Sequence, residues 1–202
     1  MAIQYPYDLL SGFPGWFTDF DLMYRQEQSR SQGGVTYVKD MGTPLWRASY
    51  QTRQLRPNEM DMWKAKAKAL EGGLKQFIAR PLSRCYPIAY PKGRGLGDVS
   101  NLKVSSIGAD RKTITMSGRP AGYIFSVGDY IQIGTRNLHQ VVGVDGLNVE
   151  IRPHLWPETK VNDPVKVIQP MCKMLIVPST LTTTSELATG RGAVSFEAVE
   201  SR

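Results

Sequence analysis

The stretch LWRASYQTRQL, residues 45–55, decides the fold. Its residues alternate between two sides of an extended chain, with Trp46, Ala48, Tyr50 and Thr52 on one side and Arg47, Ser49, Gln51 and Arg53 on the other. Because the side chains of a strand point alternately to opposite faces, this pattern predicts a β-strand with one buried face and one wet face. The rest of the chain is interpreted outward from this strand.

Elements of two kinds flank this strand. Val35–Val38 is β-branched and aromatic and follows Gly33-Gly34, which predicts another strand. On the other side, Pro57 suits the first position of a helix. The apolar residues that follow recur every three or four positions, at Met60, Trp63, Ala67 and Leu70. We therefore expect one prominent α-helix of roughly 15 residues, ending near Gly72-Gly73.

The middle of the chain has a different character. After a glycine-rich break at residues 91–98, short β-rich runs alternate with turn residues, and Asp145-Gly146 predicts a hairpin with a type I′ turn. This spacing is typical of a small sandwich or barrel. The predicted runs are Leu102–Ile107, Thr113–Met116, Tyr123–Phe125, Tyr130–Ile133, His139–Val144, Leu147–Ile151 and Val165–Ile168.

The end of the chain returns to the first kind of sequence. Cys172–Val177 and Ala193–Val199 are predicted strands, separated by a polar Ser/Thr loop at residues 179–185. If the last strand pairs with the N-terminal strands, residues 1–91 and 171–202 form one domain and residues 92–170 form a second domain inserted into it. Arg84–Tyr90 and Gln76–Ala79 are further short strand candidates near the first boundary.

The N-terminal 34 residues are interpreted as irregular and aromatic. Seven large rings occur between Tyr5 and Tyr24, among them Trp16 and Phe17. Rings of this size are rarely left in water, since each buries roughly 150–250 Å². Two interpretations are equally favoured: the segment packs across its own domain, or it packs on a neighbouring subunit. In the second case, deletion of residues 1–24 is expected to impair assembly more than folding.

Charge and composition limit the classes of function that this chain can have. The 202 residues carry a net charge of +7, of which residues 51–100 hold +6, while residues 99–170 are nearly neutral. A local basic segment can meet phosphates or an acidic protein surface, although a solvated helix face explains most of its lysines. The longest apolar run, Met174–Val177, is far shorter than the roughly 20 residues of a membrane span. We expect no membrane association.

A search for catalytic or ligand-binding motifs predicts no active site, metal or cofactor. Gly93-Arg94-Gly95-Leu96-Gly97 leads into strand-like sequence, whereas a phosphate loop leads into a helix. The only two histidines, His139 and His154, are not clustered in the sequence with the further ligands that a zinc site needs. No pair of carboxylates is placed for glycoside hydrolysis, which disfavours an enzyme such as a cell-wall hydrolase. A chain with many short strands and no active-site motif is typical of a structural protein. We expect its strand edges to pair with those of other copies, and such a contact can close into a ring.

Several short phrases, in this order, resemble a known class of protein. They are the Gly33–Tyr37 strand, the Trp46 strand, the helix leading to Leu74-Lys75-Gln76-Phe77, then SVGDYIQIG at residues 126–134, HQVV at 139–142, VEIRP at 149–153 and GAVSFEA at 192–198. The layout is similar to that of tail-tip and baseplate structural proteins of long-tailed bacteriophages, of the distal tail protein kind.

The resemblance implies a fold and an assembly. The fold would be a tail-tube-like β-sandwich or barrel domain with a small inserted OB-like β-barrel. The assembly would be a homohexameric ring in the virion, put together in the host cytoplasm. This ring would contact the tail tube protein above it and baseplate hub or tail-tip proteins below it. DNA passing through the lumen would be its only nucleic acid.

The candidate site is therefore a subunit interface. The aromatic candidates for it are Trp16, Phe17, Tyr37, Trp46 and Tyr50, and its shared sheet would draw on strands from residues 35–55, 76–79 and 172–177. Two other function classes stay open. The chain can instead be an OB-type nucleic-acid-binding module, or a tail-assembly or completion module.

Overall fold

The protein is mainly β, as predicted, with 41% of its residues in strands and 9% in helical turns. A computed structural model describes residues 3–135 and 137–201. The strands before residue 100 are β1 (Gly15–Met23), β2 (Gln26–Arg30), β3 (Thr36–Asp40), β4 (Leu45–Thr52) and β5 (Phe77–Ala79), with helix α1 (Pro57–Lys68) between β4 and β5. The later strands are β6 (Lys103–Ile107), β7 (Thr113–Ser117), β8 (Tyr130–Ile133), β9 (Asn137–Asp145), β10 (Asn148–Arg152), β11 (Val165–Lys166), β12 (Cys172–Ile176), β13 (Thr182–Ser185) and β14 (Gly192–Glu200).

The first sheet joins the two ends of the chain. Its strands lie in the order β1-β4-β14-β12-β5, and β13 also pairs with β14. The prediction that the last strand pairs with an N-terminal strand is confirmed, because Phe196 of β14 lies opposite Tyr50 of β4. All of these strand pairs are antiparallel.

Strand β4 has the two faces that its sequence predicts. Trp46, Ala48, Tyr50 and Thr52 are buried. They form a core with α1, which contributes the side chains of Met60 and Trp63. Full burial of a large side chain of this kind stabilises the fold by roughly 1.5–3 kcal/mol.

Helix α1 begins and ends close to the predicted positions. Glu59 accepts a hydrogen bond from the backbone N–H of Arg56 at 3.0 Å, so it satisfies a donor at the helix start that has no intrahelical partner. The α-helix ends at Lys68, and a single 3₁₀ turn continues it over Glu71–Gly73. The predicted 15 residues therefore divide into two pieces, with Leu70 buried between them.

The second sheet, built from residues 103–166, closes on itself. Its order is β11-β8-β9-β10-β7-β6, and a bridge between Lys103 and Pro164 joins the two ends. The Val165 N–H also donates to the Leu102 carbonyl at 2.9 Å. The result is a six-stranded barrel around its own hydrophobic core, so its edges are paired within the chain.

The hairpin predicted at Asp145-Gly146 connects β9 to β10. Asp145 lies opposite Asn148, so Gly146 and Leu147 form a two-residue loop. Gly146 has a positive φ and Leu147 does not, whereas a type I′ turn requires a positive φ at both positions. The hairpin is therefore confirmed, but the turn type is wrong.

Several other local predictions are wrong for identifiable reasons. Residues 1–34 include the strands β1 and β2. The polar loop predicted at 179–185 contains β13, whose threonines suit a pleated surface. Arg84–Tyr90 and Tyr123–Phe125 form turns and extended segments instead of strands. Tyr123 and Phe125 are buried without sheet pairing, and Ile88 and Ile124 are exposed. The hydrophobic pattern alone does not distinguish such segments from strands.

The glycine-rich segment at residues 91–98 is packed against the barrel. Leu96 is buried in the barrel core. Tyr90 stacks on Tyr123 with 5.2 Å between the ring centroids, and the Tyr90 hydroxyl accepts a hydrogen bond from the Ile124 N–H at 2.9 Å. This segment therefore forms a strap across the barrel surface.

The N-terminal segment contributes to the fold of its own chain. Leu9 and Leu10 are buried in the core of the first sheet, and Tyr7 forms a parallel bridge with Phe77. Deletion of residues 1–24 would remove these contacts together with the whole of β1, so we now expect it to disrupt folding before assembly.

The barrel and the first sheet contact each other through a set of aromatic rings. The Trp46 Nε1–H donates to the Leu138 carbonyl at 2.8 Å, so β4 is tied directly to β9. The Tyr130 ring lies 5.7 Å from the Trp46 ring and 6.2 Å from the Phe20 ring. Phe20, Trp46 and Tyr130 are called the junction rings below.

Candidate subunit interface

Strand β1 is a long unpaired edge of the first sheet. Over the described residues it pairs with β4 along one side, and no strand lies along its other side. Nine residues of edge backbone in a β protein form a template for another strand. Many proteins block such an edge with lysine or proline, and Gly15–Met23 contains neither residue.

Strand β13 is a second unpaired edge on the opposite side of the same sheet. Thr182–Ser185 pairs with β14 along one side, and the described residues place no strand along the other. The sequence of β13 is also free of lysine and proline. The strand run β1-β4-β14-β13 thus ends in an available edge on each side.

Three of the aromatic residues predicted for the interface are exposed. Trp16 is 81% exposed, and Phe17 is 53% exposed on β1. Tyr37 is 62% exposed on β3. Trp16 and Phe17 are thus neighbouring exposed rings at the start of the β1 edge, whereas Tyr37 lies on the hairpin beyond the other end of β1.

Trp46 and Tyr50 belong to the core, contrary to their predicted place at a subunit interface. Each is fully buried by residues of its own chain. The Tyr50 hydroxyl donates to the Arg80 carbonyl at 3.0 Å, and burial raises the pKa of Tyr50 well above its ordinary value. These two side chains have no surface left for a second copy, so the interface prediction is restricted to Trp16, Phe17 and Tyr37.

The face of the first sheet opposite the core is solvated and carries a cleft of about 420 Å³. Asp19 and Asp21 of β1 line it, together with Arg47 and Glu197, whose side chains form an ion pair at 2.7 Å. Asp19 and Asp21 are in no ion pair with another described residue. Exposed carboxylates of this kind keep the face solvated.

The described residues contain no group of three or more His, Cys, Asp and Glu side chains placed to hold a metal ion. His139 is fully buried, and its Nδ1 lies 2.8 Å from the Pro153 carbonyl. His154 lies 3.2 Å from the Thr43 hydroxyl, between the barrel and the first sheet. Both contacts tie backbone segments together, so these histidines hold structure in place.

No helix among the described residues has the length and apolar character to cross a membrane. No family model matches the sequence, and the search of curated proteins found no match either. The unpaired strand edges of the first sheet are therefore the features of this chain that bear on its function.

The β13 edge was missed by the sequence reasoning. Residues 179–185 are polar, and polar runs usually predict loops. A usable signal was the three consecutive threonines, 182–184, because β-branched residues favour strands. For β1, the half-burial of Thr18, Phe20 and Leu22 follows an alternation that Asp19 and Asp21 make visible in the sequence.

Proposed function

We propose that this chain is a structural virion protein that forms a ring at the distal end of a phage tail and links the tail tube to baseplate or tail-tip proteins. The observation that carries the proposal is the pair of unpaired edges, β1 and β13, on opposite sides of one sheet. The resemblance to phage tail-tip and baseplate proteins supports a place in the virion and a ring of six copies.

Strand direction supports a head-to-tail contact. In the run β1-β4-β14-β13 every neighbouring pair is antiparallel, so β13 runs opposite to β1. If β1 of one copy follows β13 of the next, the alternation continues without interruption. A contact between two different edges is heterologous, and such a contact generates a ring when its rotation closes.

The two parts of the chain have different roles in this proposal. The part formed by residues 1–91 and 171–202 is the ring-forming domain, with a fold related to that of the tail tube. The part formed by residues 92–170 is an inserted small barrel. Because its edges are paired within the chain, the described part of the barrel has no strand edge to offer the ring. It lies against the ring domain through the junction rings and is available to adjoining tail proteins.

Native mass spectrometry and negative-stain microscopy of the purified protein test the ring. We expect a sixfold ring for the unaltered chain. Phe17→Lys places a charge on the β1 edge, so it is expected to raise the concentration at which rings dissociate by roughly tenfold or more, which corresponds to about 1.4 kcal/mol per contact. The matched control is Ile124→Lys on the barrel, where Ile124 is 63% exposed compared with 53% for Phe17.

Two outcomes contradict the proposal. A stable monomer of the unaltered chain at about 50 µM removes the ring, because working complexes with Kd values near 1 µM or below would be assembled at that concentration. Equal effects of Phe17→Lys and Ile124→Lys leave the ring but remove β1 from its contact.

An OB-type nucleic-acid-binding or tail-assembly module is the alternative, and the closed small barrel is the observation that favours it. Against it, the barrel has six strands where the OB fold has five, and residues 99–170 are nearly neutral. Phosphate contacts give an affinity that falls steeply with salt. Filter binding of single-stranded DNA at low salt therefore separates the two functions, since salt-sensitive retention supports the alternative.

A further inference from the structure

The hairpin formed by β2 and β3 is exposed on both faces. All ten residues of the two strands are exposed, and over the described residues each strand pairs with the other alone. The hairpin continues the β1–β4 ribbon, because the Met41 N–H donates to the Arg25 carbonyl at 2.7 Å just below it. It thus projects from the sheet as a two-stranded ribbon with two unpaired edges.

A ribbon of this kind is expected to be covered by another protein surface. Two strands alone are marginally stable in water. Val35, Tyr37, Val38 and Met41 are each at least half exposed, which is an unusual amount of apolar surface for so short a segment. The two edges differ: β2 reads Gln-Glu-Gln-Ser-Arg, whereas β3 reads Thr-Tyr-Val-Lys-Asp and has the higher β propensity. The edge of β3 is therefore the better template.

We propose that β3 pairs antiparallel with β3 of a second copy of this chain, across a two-fold axis at Val38. In that register Val38 lies opposite Val38 of the partner subunit. Tyr37 lies opposite Lys39 of the partner subunit, and Thr36 lies opposite Asp40 of the partner subunit. The Val–Val and Tyr–Lys pairs are favourable, and none of the three pairs brings like charges together.

Charge disfavours the neighbouring register and permits a second copy of the chain as the occupant. An axis centred one residue later, at Lys39, would place two lysines directly opposite each other, which is destabilising. Within the hairpin, Lys39 already lies opposite Glu27, so the edge carries little net charge toward a second copy. The segment is thus complementary to itself in charge and in apolar content.

This contact is distinct from the proposed ring contact. The ring contact would be head-to-tail and would use β1 and β13, whereas the hairpin contact is two-fold and uses β3. The hairpin contact does not require the ring. If both contacts form, two rings join face to face through their hairpins.

A self-cross-linking experiment tests the two-fold axis. Directly opposite residues of an antiparallel pair have Cβ atoms roughly 4.5–5.5 Å apart, close enough for a disulfide after a small adjustment. We expect mild oxidation to convert most of the Val38→Cys protein into disulfide-linked dimers. Val161→Cys, at a barrel-loop position 48% exposed compared with 54% for Val38, is the matched control. The unaltered chain controls for the free thiols of Cys85 and Cys172.

A second variant keeps the proposal falsifiable if oxidation is slow. Val38→Lys places two like charges on the axis, so native mass spectrometry is expected to show loss of the two-fold species while any ring persists. Because Val38 is exposed, the circular dichroism spectrum should be unchanged. The proposal is overturned if Val38→Cys cross-links no faster than Val161→Cys. A hexamer without two-fold pairing overturns this contact and leaves the ring intact.

Discussion

Asp129 is a single carboxylate that joins the segment just before the strap, residues 86–90, to the barrel. It is almost fully buried and accepts hydrogen bonds from the Ile88 N–H at 2.7 Å and the Ser126 N–H at 2.8 Å. Burial raises the pKa of Asp129, and the two N–H donors oppose that rise only in part. A buried charge held by backbone donors thus anchors residues 86–90 to the start of β8.

The direction of this pKa shift gives a pH prediction. Because its pKa is raised, Asp129 binds a proton at a higher pH in the folded chain than in the unfolded chain. The contribution of Asp129 to stability therefore falls as the pH rises through its folded pKa. Replacement by Asn removes this dependence and leaves one N–H facing an amide donor, at a cost of about 1–3 kcal/mol. Between pH 7 and 4, the stability of the unaltered chain relative to Asp129→Asn should therefore increase on acidification.

Urea unfolding of both proteins at several pH values measures this difference. The comparison with Asp129→Asn is essential because other carboxyls act in the opposite direction. A hydrogen bond from the Arg56 N–H lowers the pKa of Glu59, and hydrogen bonds from Ser100 lower the pKa of Asp98. A difference between the two proteins that is flat with pH would mean that Asp129 titrates normally in the folded chain.

At the scale of elements, β13 depends on a glycine for its place on β14. A Cβ on Gly192 would lie far inside van der Waals contact with the Thr184 carbonyl oxygen and 2.8 Å from the Met60 sulfur. We expect Gly192→Ala to weaken the β13–β14 pairing and to cost about 1–3 kcal/mol of stability through overpacking. If the ring uses β13, assembly should weaken as well.

Gly33→Ala is the matched control for this substitution. Gly33 lies in the hairpin turn, has no positive φ, and a Cβ there would meet only the Ser31 hydroxyl at 3.9 Å. Its replacement should leave stability unchanged or raise it by a few tenths of a kcal/mol to about 1 kcal/mol. Thermal unfolding of the two variants and hydrogen exchange at the β13 amides measure the effects, and equal melting temperatures would contradict the crowding argument.

The sequence predicts an element well when one face of the element is buried and the other is solvated. β4 and α1 meet this condition, because a wet face lies opposite a core face and the period is visible in the residues. β13 and β2 do not, since their residues are exposed or partly exposed on both faces. β3 is also exposed on both faces, and only its β-branched and aromatic residues predicted it. Interface residues were harder still: Trp16 and Trp46 are the same residue type, and only tertiary packing makes one exposed and the other buried.

At the scale of the whole molecule, the barrel and the first sheet are two hydrophobic cores joined by a small contact. Buried residues between Leu96 and Val167 form one core, and the first sheet and α1 form the other. Leu138 of the barrel is buried in the core of the first sheet, and Tyr130 packs against that core from the same side. Burial, together with the nearby Asp21 carboxylate, raises the pKa of Tyr130. The junction rings therefore carry much of the coupling between the two cores.

This arrangement predicts how the molecule unfolds. Contacts across the junction should make the unaltered chain unfold in one cooperative transition, as small proteins usually do. Tyr130→Ala removes two ring contacts worth about 0.5–1.5 kcal/mol each beyond their buried area, so the two cores should separate into two transitions. Differential scanning calorimetry measures the number of transitions. Tyr24→Ala, at an exposed position, is the control and should keep one transition. A single transition in Tyr130→Ala would show that the strap and the Trp46–Leu138 hydrogen bond couple the cores without the rings.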